Sequence, residues 1–269
     1  MKFSLKIALV FVAILFALSA CAPAATPAPT AAPLPPTDTP VPPTATAIPL
    51  YQQVTLTSSD NAESGQNPNY TITTKTPVLT GSDDARVTAF NDAAAAMVKQ
   101  AVDDFQTNMK NLEPLPDIGA TSSFTMQYQL VSPAGNLLSL KFVSEGYVEG
   151  MAHPYHVTRT LNFDLEKGQE IQLDFLFLPN SDYLKTIADF CAAELQKRDI
   201  GFGDIFAQGA APTPENYQDW NITAQGLEIT FNEYQVAPYA AGPQTVDVPY
   251  TELVKVIDPQ GPLASFLPK

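Results

Sequence analysis

The sequence predicts an α+β fold in which helices pack on one face of antiparallel sheets. Two long segments place apolar residues every three or four positions, which is the period of an amphipathic helix. Several shorter segments alternate apolar and polar residues, as half-buried strands do. Because the strands follow one another in groups, the order predicts antiparallel pairing and no parallel strand–helix–strand units.

The first long helix is predicted between residues 82 and 112. Ser82 is the expected N-cap, and Asp84 suits the positive end of the helix dipole. Pro114 and Pro116 are expected to stop the helix, because proline cannot continue the hydrogen-bond ladder. The predicted apolar stripe consists of Val87, Phe90, Ala94, Met97, Ala101, Phe105, Met109 and Leu112.

Strands are predicted directly after this helix. Residues 124–130 and 138–142 alternate in polarity around a segment with Pro and Gly, which indicates a hairpin. Residues 155–163 alternate in the same way and predict a further half-buried strand. Two short strands, at residues 227–231 and 246–248, enclose a loop rich in Pro, Gly and Tyr.

A second helix is predicted to begin near Ser181 and to end at Gly201, with Lys197 and Arg198 in its last turn. Cys191 lies on the apolar stripe of this helix. A buried thiol on such a stripe is expected to be structural rather than nucleophilic.

The N-terminus predicts export and lipid attachment. Lys2 and Lys6 precede a short apolar run at residues 7–18, which is typical of a signal peptide rather than a membrane span. Small residues then lead to Cys21, the pattern of a lipoprotein signal cleaved before a cysteine that carries diacylglycerol. Residues 1–20 are therefore predicted to be a signal peptide, and Cys21 anchors the mature protein on the outer side of a bacterial membrane. Without Cys21, no thiol remains to pair with Cys191, so no intramolecular disulfide is expected.

Residues 21–50 are predicted to be the lipidated cysteine followed by a disordered linker of Ala, Pro and Thr. At about 3.1 Å per residue, the extended linker spans up to about 90 Å. The formal net charge is −14, and cleavage leaves 12 basic against 28 acidic side chains, a charge of −16. This excess argues against nucleic acid as a partner and favours either cationic partners or simple solubility.

His153 and His156 are the candidates for catalysis or metal binding, together with Glu149 and Asp164. Residues three apart on a strand face opposite sides, so the two imidazoles converge on one ion only if Pro154 breaks the strand. Glu145 and Glu149 also suggest a glycosidase pair, although nothing in the sequence places them face to face. The sequence therefore predicts no metal and no cofactor, and solvated carboxylates and a turn histidine are the expected roles.

Several motifs resemble a known family. GMAHP at 150–154, LNFD at 161–164 and LDFLF at 173–177 are similar to the DUF3298 family, which also forms the lysozyme-receptor part of the sigma-V anti-sigma factor. The most specific match is FNEYQVAPYAAGP at 231–243, followed by VPYTEL at 248–253. Residues 70–72, residues 76–78 and Asn91 are similar to the DUF4163 module, which occurs beside the catalytic domain of peptidoglycan deacetylases.

The resemblance implies two modules, at residues 51–150 and 151–269, that bind or sense a partner at the cell envelope without catalysis. It implies lysozyme-like proteins or peptidoglycan as partners. The sequence shows no sigma-binding segment and no deacetylase domain, so neither of those roles is expected. An envelope hydrolase or metal-dependent enzyme that uses His153 with nearby carboxylates is the alternative. The candidate contact residues are Tyr234, Pro238, Tyr239 and Gly242, beside a motif turn with Gly150, His153 and Pro154.

Overall fold

The computed structural model describes residues 48–111, 121–201, 203 and 205–267. The predicted signal peptide, Cys21 and the linker up to residue 47 lie outside the described residues, as do Leu112, Pro114 and Pro116. Leu50, which the sequence placed in the linker, is buried in the core and starts a short 3₁₀ helix, Leu50–Gln52.

Six strands form one sheet within the described part of the chain, in the order in which they occur in the sequence. Three of them, β3 to β5, match the hairpin and the strand that the alternation predicts. The strands are β1 (Thr55–Gly65), β2 (Tyr70–Thr80), β3 (Ser122–Ala134), β4 (Leu137–Tyr147), β5 (Tyr155–Asp164) and β6 (Gln169–Glu170).

One pair in this sheet is parallel. β2 runs parallel to β3, from Tyr70 opposite Ser122 to Thr74 opposite Met126, whereas the other neighbours are antiparallel. The helix α1 (Ala85–Asn111) connects these two strands. The α+β class is confirmed, but the expectation of no parallel strand–helix–strand unit was wrong, because pairing partners are fixed by tertiary contacts that local periodicity does not report.

The start of α1 differs slightly from the prediction. The carboxylate of Asp84, rather than the hydroxyl of Ser82, accepts a hydrogen bond from the backbone N–H of Arg86 (2.9 Å), so Asp84 is the N-cap. The Arg86 guanidinium binds the same carboxylate (2.7 and 2.8 Å) and lowers the pKa of Asp84 to about 2. Ser82 supports this cap, since its Oγ accepts the backbone N–H of Asp84 (3.2 Å).

The apolar stripe of α1 packs on the six-stranded sheet. Phe90 meets Phe163 of β5 edge to face at a centroid distance of 5.4 Å, and Phe105 stacks on Phe124 of β3 at 5.2 Å. Met97, on the same predicted stripe, is half-buried rather than buried. The stripe is therefore core at these aromatic positions but not along its whole length. Among the described residues, no helix combines the length and apolar character needed to cross a membrane.

A second, three-stranded sheet carries the C-terminal core. The predicted strands at 227–231 and 246–248 are confirmed as an antiparallel pair. The elements of this part are α2 (Tyr183–Leu195), α3 (Ile205–Gly209), β7 (Trp220–Ile222), β8 (Gly226–Phe231), β9 (Gln244–Pro249) and α4 (Tyr250–Leu253).

The second predicted helix is shorter than its sequence signals indicated. α2 ends at Leu195, so Lys197 and Arg198 follow the helix instead of forming its last turn, and Gly201 adopts a left-handed conformation further on (φ 65°). Cys191 is fully buried on α2, and burial raises the pKa of its thiol to about 12. The predicted structural role of this thiol agrees with both observations.

Buried polar side chains join the two sheets. The Oγ of Ser139 donates to the Oδ1 of Asn162 (2.6 Å) and accepts from the Nδ2 of Asn221 (2.9 Å). Lys141 of β4 and Glu228 of β8 add an ion pair across the same junction. The described residues therefore belong to one compact unit. The six-stranded sheet continues across the boundary that the sequence predicts between residues 150 and 151. The division into two sequence modules stays a prediction.

Candidate functional site

The segment that follows β8 covers the outer edge of β5. β6 pairs only with the last two residues of β5, so the rest of this edge has no strand beside it among the described residues. The Oδ1 of Asn232 accepts from the backbone N–H of Thr158 (2.7 Å), and its Nδ2 donates to the carbonyl of Thr158 (3.1 Å). The Oε2 of Glu233 accepts from the backbone N–H of His156 (3.0 Å). These side chains take the hydrogen-bonding place of a neighbouring strand and protect an otherwise open edge.

Asp219 contacts both the segment after β8 and the strand β5. Its Oδ2 accepts from the Nδ2 of Asn232 (2.8 Å) and lies 3.3 Å from the Nη1 of Arg159. Burial raises the pKa of Asp219 to about 6, because the surrounding protein disfavours its charged form more than Arg159 and Asn232 favour it. Asp219 is therefore a buried acid that changes its charge within the ordinary pH range.

His156 joins two carboxylates of different exposure. Its Nδ1 lies 2.7 Å from the Oε1 of Glu233, whose side chain is 6% exposed. Its Nε2 lies 3.7 Å from the Oε2 of Glu145, whose side chain is 58% exposed. Both carboxylate oxygens of Glu233 thus contact His156, one at its backbone N–H and one at its ring. The Glu145 carboxylate is largely exposed to solvent.

Three rings stack on the surface next to this pair, and we call His153, Tyr234 and Tyr239 the aromatic cluster. The His153 and Tyr239 rings are nearly parallel (24°) with centroids 3.8 Å apart, and the Tyr234 and Tyr239 centroids are 5.8 Å apart. The hydroxyl of Tyr234 lies 3.3 Å from the Nε2 of His153. The carbonyl of Pro154 accepts the hydroxyl of Tyr239 (2.8 Å) and lies 2.8 Å from the Nδ1 of His153. The pKa of Tyr239 is raised, first by desolvation and then by the charge of Glu233.

Tyr234 is the most exposed ring of the aromatic cluster. The residue is 55% exposed and its backbone is left-handed (φ 62°). Residues other than glycine adopt this backbone conformation at a cost on the order of 1 kcal/mol. Folding alone gains little from a ring held outward in this way. An exposed aromatic side chain on a strained backbone is therefore a candidate contact residue.

The structure brings together four of the residues singled out in the sequence: His153, Pro154, Tyr234 and Tyr239. Pro238 is exposed and precedes the 3₁₀ helix Tyr239–Ala241, and Gly242 follows this helix with a positive φ (65°). Gly150 also has a positive φ (95°), in the turn between β4 and β5. These last residues shape the loops that hold the aromatic cluster.

The structure does not bring His153 and Asp164 together. His153 precedes the first residue of β5 by two positions and Asp164 is its last residue, so the ten-residue strand separates them by about 30 Å. Asp164 instead accepts the backbone N–H groups of Glu166 and Lys167 (3.0 and 3.2 Å) in a turn. Across the part of the chain that the structure describes, no group of three or more His, Cys, Asp or Glu side chains is placed to hold a metal ion.

Sequence reasoning missed the roles of Asn232, Glu233 and Asp219. The signal that pointed toward them is the polar pair directly after Phe231, where the alternation of β8 ends. A polar side chain such as Asn often hydrogen-bonds to backbone near it in the sequence, but the backbone that Asn232 binds lies more than 70 residues earlier in the chain.

Comparison with known proteins relates the C-terminal part of the chain to a known family. Residues 174–251 match the family described as "Protein of unknown function (DUF3298)". Two solved DUF3298 structures share the fold: one from Bacteroides fragilis (TM-score 0.61, 20% identity) covers 79% of this chain and 96% of its own. One from Pseudomonas aeruginosa (TM-score 0.52, 14% identity) covers 80% of this chain and 96% of its own.

Two curated proteins are similar over parts of their length. The peptidoglycan-N-acetylmuramic acid deacetylase PdaC of Bacillus subtilis is 26% identical over 172 residues, which is 63% of this chain and 36% of the deacetylase. An esterase of Mycobacterium tuberculosis is 31% identical over 100 residues, which is 37% of this chain and 44% of the esterase. The chain thus spans less than half the length of either protein. The resemblances to DUF4163 and to the sigma-V anti-sigma factor stay predictions, whereas the segment from residue 174 to residue 251 matches the DUF3298 family.

Proposed function

We propose that this protein is a non-catalytic binding module of the bacterial cell envelope, anchored by a lipid on Cys21, and that its ligand is peptidoglycan. The partial similarity to a peptidoglycan deacetylase supports an envelope location. The observation that carries the proposal is the aromatic cluster, which two distant segments build on the protein surface.

The aromatic cluster suits a glycan chemically. Sugar rings present flat faces of C–H groups that pack on aromatic rings, and Tyr234 offers such a face to solvent. Tyr239 is fixed by its hydrogen bond to Pro154 and by stacking on His153, so little side-chain entropy is lost when a ligand binds. Glu145, exposed beside His156, supplies an acceptor for sugar hydroxyls or amides.

Calorimetric titration with soluble peptidoglycan glycan fragments tests this proposal. The full chain carrying Cys21→Ser, which removes the lipid attachment site, is compared with the same chain that also carries Tyr234→Ala. We expect Tyr234→Ala to weaken binding by about tenfold, because a central aromatic contact is commonly worth more than 1 kcal/mol. Phe175→Ala is the control, since Phe175 is an equally exposed ring on the 3₁₀ helix Leu173–Leu176. Absence of heat, or equal losses in the two variants, contradicts the proposed site.

A basic envelope protein such as lysozyme is the second candidate ligand. The net charge of −14 and the exposure of Glu145 next to the aromatic cluster favour it. Binding through these charges should weaken strongly with salt, since the Debye length falls from about 10 Å at 0.1 M to about 3 Å at 1 M. Glu145→Gln should reduce this salt dependence, whereas binding to a neutral glycan should barely respond to salt.

The alternative of an envelope enzyme is tested in the same samples. Release of acetate or of reducing sugar from peptidoglycan, or hydrolysis of a simple aryl ester, would argue against the non-catalytic proposal. If such activity is lost in His153→Ala, the activity resides at the aromatic cluster. The proposal predicts that none of these products forms above the rate without protein.

A further inference from the structure

A groove lies beside the Gly150–Pro154 turn, on a part of the sheet that α1 does not cover. Phe90, near the start of α1, packs on Phe163 of β5, but Phe105 packs on Phe124 of β3. The helix therefore crosses the sheet obliquely. Its second half moves away from β5, and a groove opens over the first half of that strand.

Small residues on β4 shape the floor of this groove. The register aligns Phe124, Gly146 and Tyr155 in one row across β3, β4 and β5. It aligns Met126, Ser144 and Val157 in the next row. The ring of Tyr155 lies over Gly146, where a Cβ would come within 2.2 Å of it, so Gly146 lets this ring lie close to the sheet. Ser144, between Met126 and Val157, lines the cavity and leaves a depression in the row that these three residues form.

The resulting cavity has a volume of about 870 Å³, within the range of small-molecule sites. Three of the five methionines in the sequence, Met97, Met126 and Met151, line it. Methionine side chains are flexible and polarisable, so they adapt to aliphatic ligands of irregular shape. None of the aromatic cluster lines this cavity.

The rim of the cavity is polar and electrically balanced. Asp104 on α1 and Arg159 on β5 contribute one charge of each sign, and Arg159 is already paired with Asp219. The remaining polar lining on α1 consists of uncharged groups that both donate and accept hydrogen bonds: Gln100, Thr107, Asn108 and Asn111. An apolar floor beneath an uncharged hydrogen-bonding rim matches a ligand with an aliphatic body and a neutral polar head.

We propose that this groove binds an uncharged amphiphile, with its aliphatic chain over Met97, Met126 and Met151 and its hydroxyl or amide head at the α1 rim. This site is separate from the aromatic cluster and does not depend on the proposed peptidoglycan binding. A charged head of either sign would be attracted by one of Asp104 and Arg159 and repelled by the other, and it would lose its hydration shell in the groove. A neutral head loses less hydration energy there.

Titration with monodecanoylglycerol below its micelle concentration tests the groove, with decanoate and decyltrimethylammonium as charged probes of equal chain length. The full chain with Cys21→Ser should bind one monodecanoylglycerol saturably, and at least tenfold more tightly than either charged probe. Ala101→Leu places three extra carbons into the groove from α1 and should weaken binding at least tenfold. Ala96→Leu is the matched control, because Ala96 lies exposed on the same helix and does not line the groove.

Met151→Trp, in the turn rather than in a helix, fills the groove independently and should weaken binding as Ala101→Leu does. Tyr234→Ala should leave it unchanged, which separates this site from the aromatic cluster. The proposal is overturned if no saturable binding occurs, if Ala96→Leu weakens binding as much as Ala101→Leu, or if either charged probe binds more tightly.

Discussion

The buried acid at the β5 edge makes stability depend on pH in a direction opposite to that of most carboxylates. The pKa of Asp219 rises from an ordinary 3.8 to about 6 in the folded protein. Between these values the folded protein keeps a proton that the unfolded chain has already released. The free energy of unfolding therefore falls as pH rises through this window, and the loss is complete above about pH 6.

The size of this loss follows from the pKa difference. Since one pKa unit corresponds to about 1.4 kcal/mol, the rise from 3.8 to about 6 corresponds to about 3 kcal/mol. Asp219→Asn removes the titration but keeps an oxygen that accepts from Asn232. At pH 4 the unfolded carboxyl has already released more than half of its proton, so part of this loss lies below the range. We therefore expect the stability of Asp219→Asn relative to the parent to increase by about 2 kcal/mol between pH 4 and pH 7.

Urea unfolding at pH 4, 5, 6 and 7, with parent and variant measured in parallel, gives this difference directly. Asp92→Asn, at an exposed carboxyl on α1, is the control and should show no comparable trend. A stability difference between Asp219→Asn and the parent that stays constant over this range would refute the reasoning. A stability difference that decreases with pH would mean that the charge of Arg159 lowers the pKa of Asp219 more than burial raises it.

Three further predictions concern other parts of the molecule. Gly209→Ala should destabilise the protein by about 1–3 kcal/mol in thermal unfolding, because a Cβ would lie 1.6 Å from the carbonyl oxygen of Gln235, whereas Gly203→Ala, with open space around it, should be neutral. A chain that begins at Tyr51 should be less stable than one that begins at Ile48 by about 1–3 kcal/mol, since it loses the buried side chain of Leu50; equal urea midpoints would contradict this. Cys21→Ser should move the protein from the membrane fraction to the soluble fraction or leave the precursor uncut, and unchanged processing and fractionation would disprove lipid attachment there.

The elements that the sequence predicted correctly are those with strong local periodicity. Apolar residues recur with a regular period within each of the two long helices, the β3–β4 hairpin and β5. The pattern alone therefore indicates which face of each element is buried. β1 lacked this signal, because nearly all of its residues are exposed at the edge of the sheet. The parallel β2–β3 pair could not be predicted either, since a 27-residue helix separates the two strands and pairing depends on where that helix packs.

The candidate site was predictable in its parts but not as an assembly. Tyr234 and Tyr239 were found through motif resemblance, and His153 through its chemistry. The sequence carried no sign that His156 meets Glu233, because these residues are 77 positions apart and Glu233 lies in the turn after β8, a strand of the other sheet. The hydrogen bonds that align them depend on β8 ending next to the edge of β5, which is a property of the whole fold.

The placement of the aromatic cluster follows from the need to close that edge. Asn232 and Glu233 satisfy the backbone of β5, and the next residue along the chain is Tyr234, which the turn directs outward. The same three residues therefore serve the stability of the sheet and the presentation of a ring to solvent. Because the two roles occupy neighbouring positions, Asn232→Ala should disturb both folding and binding, whereas Tyr234→Ala removes an exposed ring and leaves the edge hydrogen bonds in place. A loss of binding in Tyr234→Ala at unchanged stability is thus the observation that assigns the ring to a ligand rather than to the fold.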